Sequence, residues 1–346
     1  MSPDVTILGA GAFGLSCAWT MARRGARVRV IDPHGVGAGA SGGIVGALAP
    51  HVPEQWNAKK AFQLDSLLMA ETWWADVAEA GGGDPGYART GRLQPIPDTT
   101  ARALAEARAQ QATTLWQGRA TWQIRPTPPA WSPGTAEVIH DTLSARLHPR
   151  RACEALAAAI RRKGGDIASE GPLEGAILHA TGWQGLTEMR DTQGRPAGAG
   201  IKGQAILLDL DRRAAPQLYV DGLHVIPHAD GTTAIGSTSE REFEHGNPDA
   251  QCDDLLARAV AALPVLADAP VLARWAGIRP RARSRAPLMG EWSGRSGHYI
   301  ANGGFKIGFG MAPKVAEVMA DLILEGRDAI PEAFRTDGLA PWDAGG

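Results

Sequence analysis

The sequence predicts a mixed α/β fold, α+β overall, in which a parallel strand–helix–strand unit is interrupted by helices and antiparallel strands. Three observations predict it. First, "DVTILGAGAFGLSCAWTMARRGARVRVID" opens the chain with a short apolar run, a glycine-rich turn, a helix and an alternating strand. Second, Asp221-Gly222 and Asp230-Gly231 punctuate a period-two stretch, the signature of antiparallel hairpins. Third, "GHYIANGGFKIGFGMAPKVAEVMADLILEG" reads as strand, glycine-rich loop and long helix.

In the opening unit Val5 to Leu8 form the first strand, and Gly9, Gly11 and Gly14 give G-x-G-x-x-G. The helix runs from about Ala12 to Arg24 and stops at Gly25, a good residue for a helix end. The second strand ends at Asp32, 18 residues after Gly14. Together they make a βαβ unit of the dinucleotide-binding, Rossmann-like type. A Gly/Ala-rich loop, "GVGAGASGGIVGALAPH", follows and leads toward a helix over Asn57–Ala80. Further helices are expected in "DTTARALAEARAQQATTLW" and "SARLHPRRACEALAAAIRRKGGDI", the second with Pro149 near its start and Gly164-Gly165 at its end. "GAILHATGWQG" reads as a buried strand entering a glycine turn, "GQAILLDL" as a strand, and "PDAQCDDLLARAVAALPVL" as a helix. This order splits the nucleotide-binding domain into pieces at 1–50, 140–190 and 275–330. A second domain would take 51–139 and 191–274, and residues 331–346, rich in Pro, Gly and charge, read as a C-terminal tail.

Composition narrows the function. With 346 residues and 44% hydrophobic content the chain can bury a substantial core. A net charge of −2 argues against a general nucleic-acid or membrane-surface binder. Cys17, Cys153 and Cys252 are too few and too scattered for a disulfide framework or a zinc site, so no metal is expected and a reducing cytoplasm is the default. No apolar run reaches the roughly 18 residues of a membrane span, and no basic, cleavable leader is visible.

The first loop carries its own chemistry. Glycines let the backbone approach a pyrophosphate, and the helix start offers free N–H groups and the positive end of a dipole. Asp32 is placed to take ribose hydroxyls and opposes a 2′-phosphate, which disfavours NADP. The loop leaves NAD and FAD undecided. A second concentration of chemistry lies in "ARWAGIRPRARSRAPLMG", with Arg274, Arg279, Arg281, Arg283 and Arg285 inside twelve residues. Clustered arginines in a near-neutral chain suit planar anions, which a guanidinium grips through two parallel hydrogen bonds.

Three stretches decide between the cofactors by resemblance. "GAGASGGIVGAL", "ILHATGWQG" and "WAGIRPRARSRAPLMG" followed by "HYIANGGFKIGFGMAPKVAEVMADLI" resemble, in order, segments of the FAD-dependent D-amino-acid oxidase superfamily, whose simpler members are glycine and sarcosine oxidases. The resemblance implies non-covalent FAD, since no Cys lies in the closing segment. It implies contacts to FAD from Gly9, Gly11, Ala12, Phe13 and Gly14, from Asp32, from Ser41, Gly42 and Gly43, from Thr181 and Gly182, and from Gly303, Gly304, Phe305, Lys306 and Ile307. The Arg of its G-x-R-P motif matches Arg279, which would hold the substrate carboxylate over the flavin. Lys306 matches a second basic residue that assists the carboxylate or the reaction with oxygen, or is a surface lysine. His51 and Tyr219 are further candidates to touch substrate, whereas His224 and His228 read as core or edge histidines. The stretch "DIASEGPLEGAILHATG" is shorter than the small β-meander of the family.

The expected function is therefore FAD-dependent oxidation of the C–N bond of a small carboxylated amine, of glycine, sarcosine or D-amino-acid type, by hydride transfer and imine hydrolysis. One alternative keeps the chemistry and places the amine on tRNA, because "ASGGIVGALAPH" also resembles the oxidase domain of the enzyme that modifies the wobble uridine, and the extra arginines would then meet phosphates. The other alternative is a non-catalytic dinucleotide-binding module, which would have no use for an arginine beneath the flavin edge.

Overall fold

The computed structural model describes residues 2–341. It opens with β1 (Val5–Leu8), α1 (Ala12–Arg23) and β2 (Val28–Ile31), the two strands parallel with Val5 opposite Val28 and Leu8 opposite Ile31. The chain leaves α1 through Gly25 at φ +94°, a conformation a side chain would resist. The Gly/Ala loop does not run straight into a helix. It makes a short 3-10 turn at Ala40–Gly42 and then the brief strand β3 (Ala47–Leu48). α2 (Ala58–Gly81) starts where the Asn57 side chain accepts from Lys60 N and stops at Gly82, φ +67°.

The middle of the chain adds β4 (Arg92–Pro95), α3 (Thr99–Leu115), β5 (Trp122–Pro126), β6 (Glu137–Asp141) and β7 (Ala145–Arg146). Asp98 caps α3 through Ala101 N at 2.7 Å. α4 (Pro149–Arg162), β8 (Asp166–Ala168) and β9 (Ala176–His179) return the chain to the first sheet. The glycine turn expected after β9 continues as a helix, α5 (Gly182–Glu188). Then come β10 (Gly198–Leu208), β11 (Gln217–Val220), β12 (Leu223–Pro227) and β13 (Thr233–Gly236). Asp221 and Gly222 turn β11 into β12 with φ of +49° and +77°, as a tight two-residue hairpin requires. α6 (Gln251–Ala262), β14 (Val271–Ala282), β15 (Leu288–Glu291), β16 (His298–Asn302) and α7 (Gly308–Glu325) complete the order.

Two large sheets result. The first runs β15-β16-β9-β1-β2-β8 and is parallel except for β15. The second runs β14-β10-β13-β12-β11-β4-β6-β5 and is mostly antiparallel. The boundary expected at residue 275 falls inside β14, which pairs with β10 along its length and so belongs to the second sheet. Helices α1, α2, α4 and α7 share the main core, which includes Leu15, Trp19, Trp73, Trp74, Leu156 and Met311. Arg23 and Arg24 of α1 pair with Glu317 and Asp321 of α7 at its rim.

Residues 331–341 correct the expectation of a tail. Phe334 is fully buried and meets the Phe62 ring edge-on at 5.1 Å, and Thr336 Oγ1 donates to Glu291 O at 2.7 Å. Two apolar residues, Phe334 and Leu339, suffice to dock a segment whose polar and glycine-rich composition hides them. The remainder of the expected tail, 342–346, lies outside the described residues. Phe334→Ala is expected to lower the unfolding free energy by about 3 kcal/mol in urea titration, as for other fully buried phenylalanines. A loss below about 1 kcal/mol would mean that the segment is not docked in solution.

Candidate active site

β1 delivers the chain to the glycine turn against the end of β9. A Cβ built on Gly14 would stand 1.9 Å from Gly9 O, and one on Gly9 would stand 2.3 Å from Ala180 O. Only glycines allow this closure, which seats α1 directly on the strand end. No side chain of the N-cap residue, Gly11, covers the start of α1, and its first turn holds no acid. Ser41 reaches it from the 3-10 turn and accepts from Ala12 N at 2.9 Å. Asp32 binds its own turn: one carboxylate oxygen accepts from Ala10 N at 2.8 Å and the other from His34 N at 2.9 Å. Each oxygen keeps a lone pair for a further donor. Gly42 and Gly43 are equally constrained, the first by Gly37 O at 2.1 Å from a built Cβ, the second by the Trp275 indole at 3.1 Å.

The closing turn stands beside this loop. Gly304 has room for no side chain, since a Cβ would lie 2.9 Å from the Phe13 ring. Asn302 Nδ2 donates to Gly182 O at 2.9 Å, which ties the turn to the Thr181–Gly182 corner at the start of α5. Phe305 N donates to Pro280 O at 3.1 Å and Ile307 N to Gly304 O at 3.0 Å. Among the described residues this leaves the amides of Gly304 and Lys306 without a backbone partner, together with the uncapped start of α7. α7 begins at Gly308, so Gly308 and Gly310, which read as part of the glycine-rich loop in the sequence, form its first turn.

The second wall is the paired face of β10 and β14. Period two puts Trp275, Gly277, Arg279 and Arg281 on one side of β14, with Ile201 opposite Arg279, Gly203 opposite Gly277 and Ala205 opposite Trp275. The two glycines form a floor. A Cβ on Gly203 would stand 2.0 Å from the Arg279 guanidinium, and one on Gly277 would stand 2.4 Å from the Trp275 ring. The guanidinium and the indole therefore lie flat on bare backbone.

Arg279 is 9% exposed. Its Nη1 donates to Thr238 O at 3.1 Å and its Nη2 to Ser237 Oγ at 2.5 Å. Burial pulls the group down to about 10, with Glu240 opposing, so it stays charged at neutral pH. Glu240 is occupied elsewhere: Gln204 Nε2 donates to it at 3.0 Å, Thr238 Oγ1 also donates to it, and Lys202 Nζ lies at 3.5 Å. Arg279 thus has no carboxylate partner among the described residues. A buried charge left in that condition costs several kcal/mol and is a strong anion site.

The other candidates divide. Tyr219 faces its cross-strand neighbour His224 at 4.8 Å, and the Arg92 guanidinium lies 5.8 Å from the Tyr219 ring centroid while pairing with buried Asp141 at 2.9 Å. His224 lies on β12 with strands on both sides. Burial first, and then the charges of Arg92, Lys306 and Arg279, push it down to about 3, so it is neutral within the second sheet, where its strand pairs it with Tyr219 and Gly236. His228 is a core histidine whose Nε2 contacts Ile44 O at 2.8 Å. His51 is held by Gln63 of α2 through both its ring Nδ1, at 2.5 Å, and its backbone N, at 2.8 Å. None of these His51 contacts involves the Arg279 group. The five clustered arginines separate as well: Arg274 pairs with exposed Asp253, Arg283 donates to Pro196 O, and Arg285 occupies a turn whose carbonyl takes Lys59 Nζ. The sequence missed Gly203, Gly277 and Trp275, although W-x-G-x-R read at strand period puts two of them, Trp275 and Gly277, on one face with Arg279.

A glycine-compressed loop under a helix whose N-cap is a glycine, a second helix start behind a glycine turn, and a buried arginine without a carboxylate partner among the described residues accord with what the comparison with known families finds. Residues 4–322 match the FAD dependent oxidoreductase family (DAO), and the chain belongs to it. It is an FAD-dependent oxidoreductase. Among its relatives, the glycine oxidase of Pseudomonas putida is 29% identical over 98% of this chain and 99% of that one. The tRNA 5-methylaminomethyl-2-thiouridine biosynthesis bifunctional protein MnmC of Maricaulis maris is 28% identical over 97% of this chain and 54% of its own length. Among solved structures, the iminodiacetate oxidase of Chelativorans sp. BNC1 superposes with a TM-score of 0.82 at 21% identity, covering 96% of this chain and 98% of that one. No helix among the described residues is long and apolar enough to cross a membrane.

Gly203→Ala tests the floor. The neighbour that must move is the buried Arg279 guanidinium, which would leave Ser237 Oγ and Thr238 O, so stability should fall by about 1–3 kcal/mol. Flavin content should be unaffected. Turnover of a carboxylated amine, read as kcat/KM, should fall roughly 10- to 100-fold, or about 1.4–2.8 kcal/mol. Undiminished kcat/KM would show that the guanidinium does not need its place over Gly203.

Proposed function

We propose that the protein oxidises the C–N bond of a small carboxylated amine, of glycine, sarcosine or D-amino-acid type, at a site between the closing turn and the β10–β14 face. The observation that carries this reading is Arg279: buried, charged, fixed by Ser237 and Thr238, and unpaired. In this reading the first sheet with its helices holds non-covalent FAD and the second sheet forms the substrate side. Gly9, Gly11, Ala12, Phe13 and Gly14 with the start of α1 take the pyrophosphate. Asp32 takes ribose, Ser41 to Gly43 run alongside, and Thr181 and Gly182 close the corner. The amides of Gly304 and Lys306 and the start of α7 face the ring edge that gains charge.

Bound FAD supplies the oxidant, accepting a hydride from the carbon beside nitrogen, after which the imine is hydrolysed. The chain's own residues orient and exclude. Arg279 grips the carboxylate in two parallel hydrogen bonds, worth roughly 1.5–3 kcal/mol, and so fixes the direction of the reacting C–H. His224 stays neutral and adds no further positive charge to this side of the fold. No protein base is assigned, because a neutral amine needs none. His51 has no part in this reading. The tRNA-borne amine is not favoured: the Arg283 guanidinium is bound to Pro196 O and Arg274 pairs with Asp253, so the five arginines are not all offered to one phosphate-binding face.

Arg279→Lys keeps the charge and loses the planar grip. It should retain flavin and lose at least about 100-fold in kcat/KM on the carboxylated substrate, through both terms. Acid precipitation of either protein should leave its yellow colour in the supernatant. Unchanged turnover by the lysine variant removes the carboxylate assignment.

A further inference from the structure

Beside Arg279 lies a cavity of about 320 Å³ lined by Ile201, Ser239, Arg241, Arg281, Phe305 and Lys306. Four of the six lining residues lie next to the Arg279 group in sequence, across the strand pair or through a backbone bond. Ile201 is its cross-strand partner, and Arg281 is two positions along the same face. Ser239 follows Thr238, whose carbonyl Arg279 binds, and Phe305 N is bonded to Pro280 O. Arg281 and Lys306 both stand near the Phe305 ring, at 5.6 and 5.8 Å from its centroid. Burial pulls the Lys306 ammonium down, and the charges of Arg279 and Arg281 push the same way.

Elsewhere cations near the site are neutralised: Arg92 by Asp141, and Lys202 by Asp249 and Glu240. Arg241, Arg281 and Lys306 pair with no carboxylate among the described residues. Three cations line one cavity, with Arg279 on the same strand face as Arg281, where one carboxylate can neutralise one of them. Like charges lining a concavity raise its potential and favour a polyvalent anion. The volume, at the low end for ligand pockets, fits one small acid group beyond the reacting part of the substrate.

Resting on the carboxylated-amine reading, we propose that the substrate carries a second acid group, a carboxylate or phosphonate, which Arg281, Lys306 and Arg241 hold while Arg279 holds the first. The acid sits either on the second substituent of nitrogen or on the side chain.

The experiment titrates the flavin absorbance of the holoenzyme with two thioethers that cannot be oxidised as amines, thiodiacetate and (methylthio)acetate. Thiodiacetate should bind at least tenfold more tightly, or about 1.4 kcal/mol. Arg281→Gln, and separately Arg241→Gln at an exposed position, should bring that ratio to within about threefold of one. Turnover of iminodiacetate against sarcosine, and of D- and L-aspartate against D- and L-alanine, then shows which substituent bears the acid. Equal binding of the two thioethers by the wild-type protein overturns the second-acid site, even if sarcosine is oxidised. A preserved preference in both variants also overturns it. Equal thioether binding together with salt-sensitive competition by tRNA would give the cations to a polyanion instead. A clear preference for thiodiacetate with no oxidation of any carboxylated amine would leave this site standing and defeat the oxidase reading.

Discussion

The Arg279 guanidinium, lying on the bare backbone of Gly203, is the contact around which the β10–β14 face is arranged. A flat cation can be buried there only if the strand below has no side chain and if donors behind it are satisfied without an acid. Gly203 meets the first condition, and Ser237 Oγ and Thr238 O meet the second. The nearby acid, Glu240, is drawn off by Gln204, Thr238 and Lys202, and Lys202 is itself bound to Asp249. The reciprocal backbone bonds between Lys202 and Glu240, 3.0 and 2.9 Å, fix that arrangement to β10. The protein therefore bears the cost of several buried charges to keep one of them free, which is what binding a substrate anion requires.

Several contacts join the first sheet and its loops to the β10–β14 face. Phe305 N bonds to Pro280 O, one residue beyond Arg279, and Asn302 bonds to Gly182 O. The Trp275 ring packs over Gly277 and against Gly43. Through these contacts the two glycine-rich loops and the β14 face are held in one register. A shift of β14 by a single residue against β10 would turn Arg279 to the opposite face.

Much of this was legible in the chain. The βαβ unit, the hairpin turns, the helices and the Arg279 motif follow from local pattern, because glycine spacing and apolar period are local quantities. What was not legible depends on residues distant in sequence. Gly203 looks like the first residue of a strand until Arg279 is laid across it. His224 alternates like its neighbours, and its neutral state rests on burial and on Arg92 and Lys306, more than eighty residues away on either side. The Arg cluster reads as one patch, but Arg283 is bound to Pro196 O and Arg274 to Asp253. Phe334 and Leu339 are too isolated in a polar segment for periodicity to register them.

The account turns on a carboxylate being selected by a buried, unpaired guanidinium. The most direct measurement mixes the flavin-loaded protein, without oxygen, with sarcosine and with its neutral amide, and follows flavin absorbance. The account predicts that the amino acid bleaches the flavin at least about 100-fold faster than the amide at equal concentration, since the amide cannot make the charge-assisted pair. Equal rates of bleaching would contradict it.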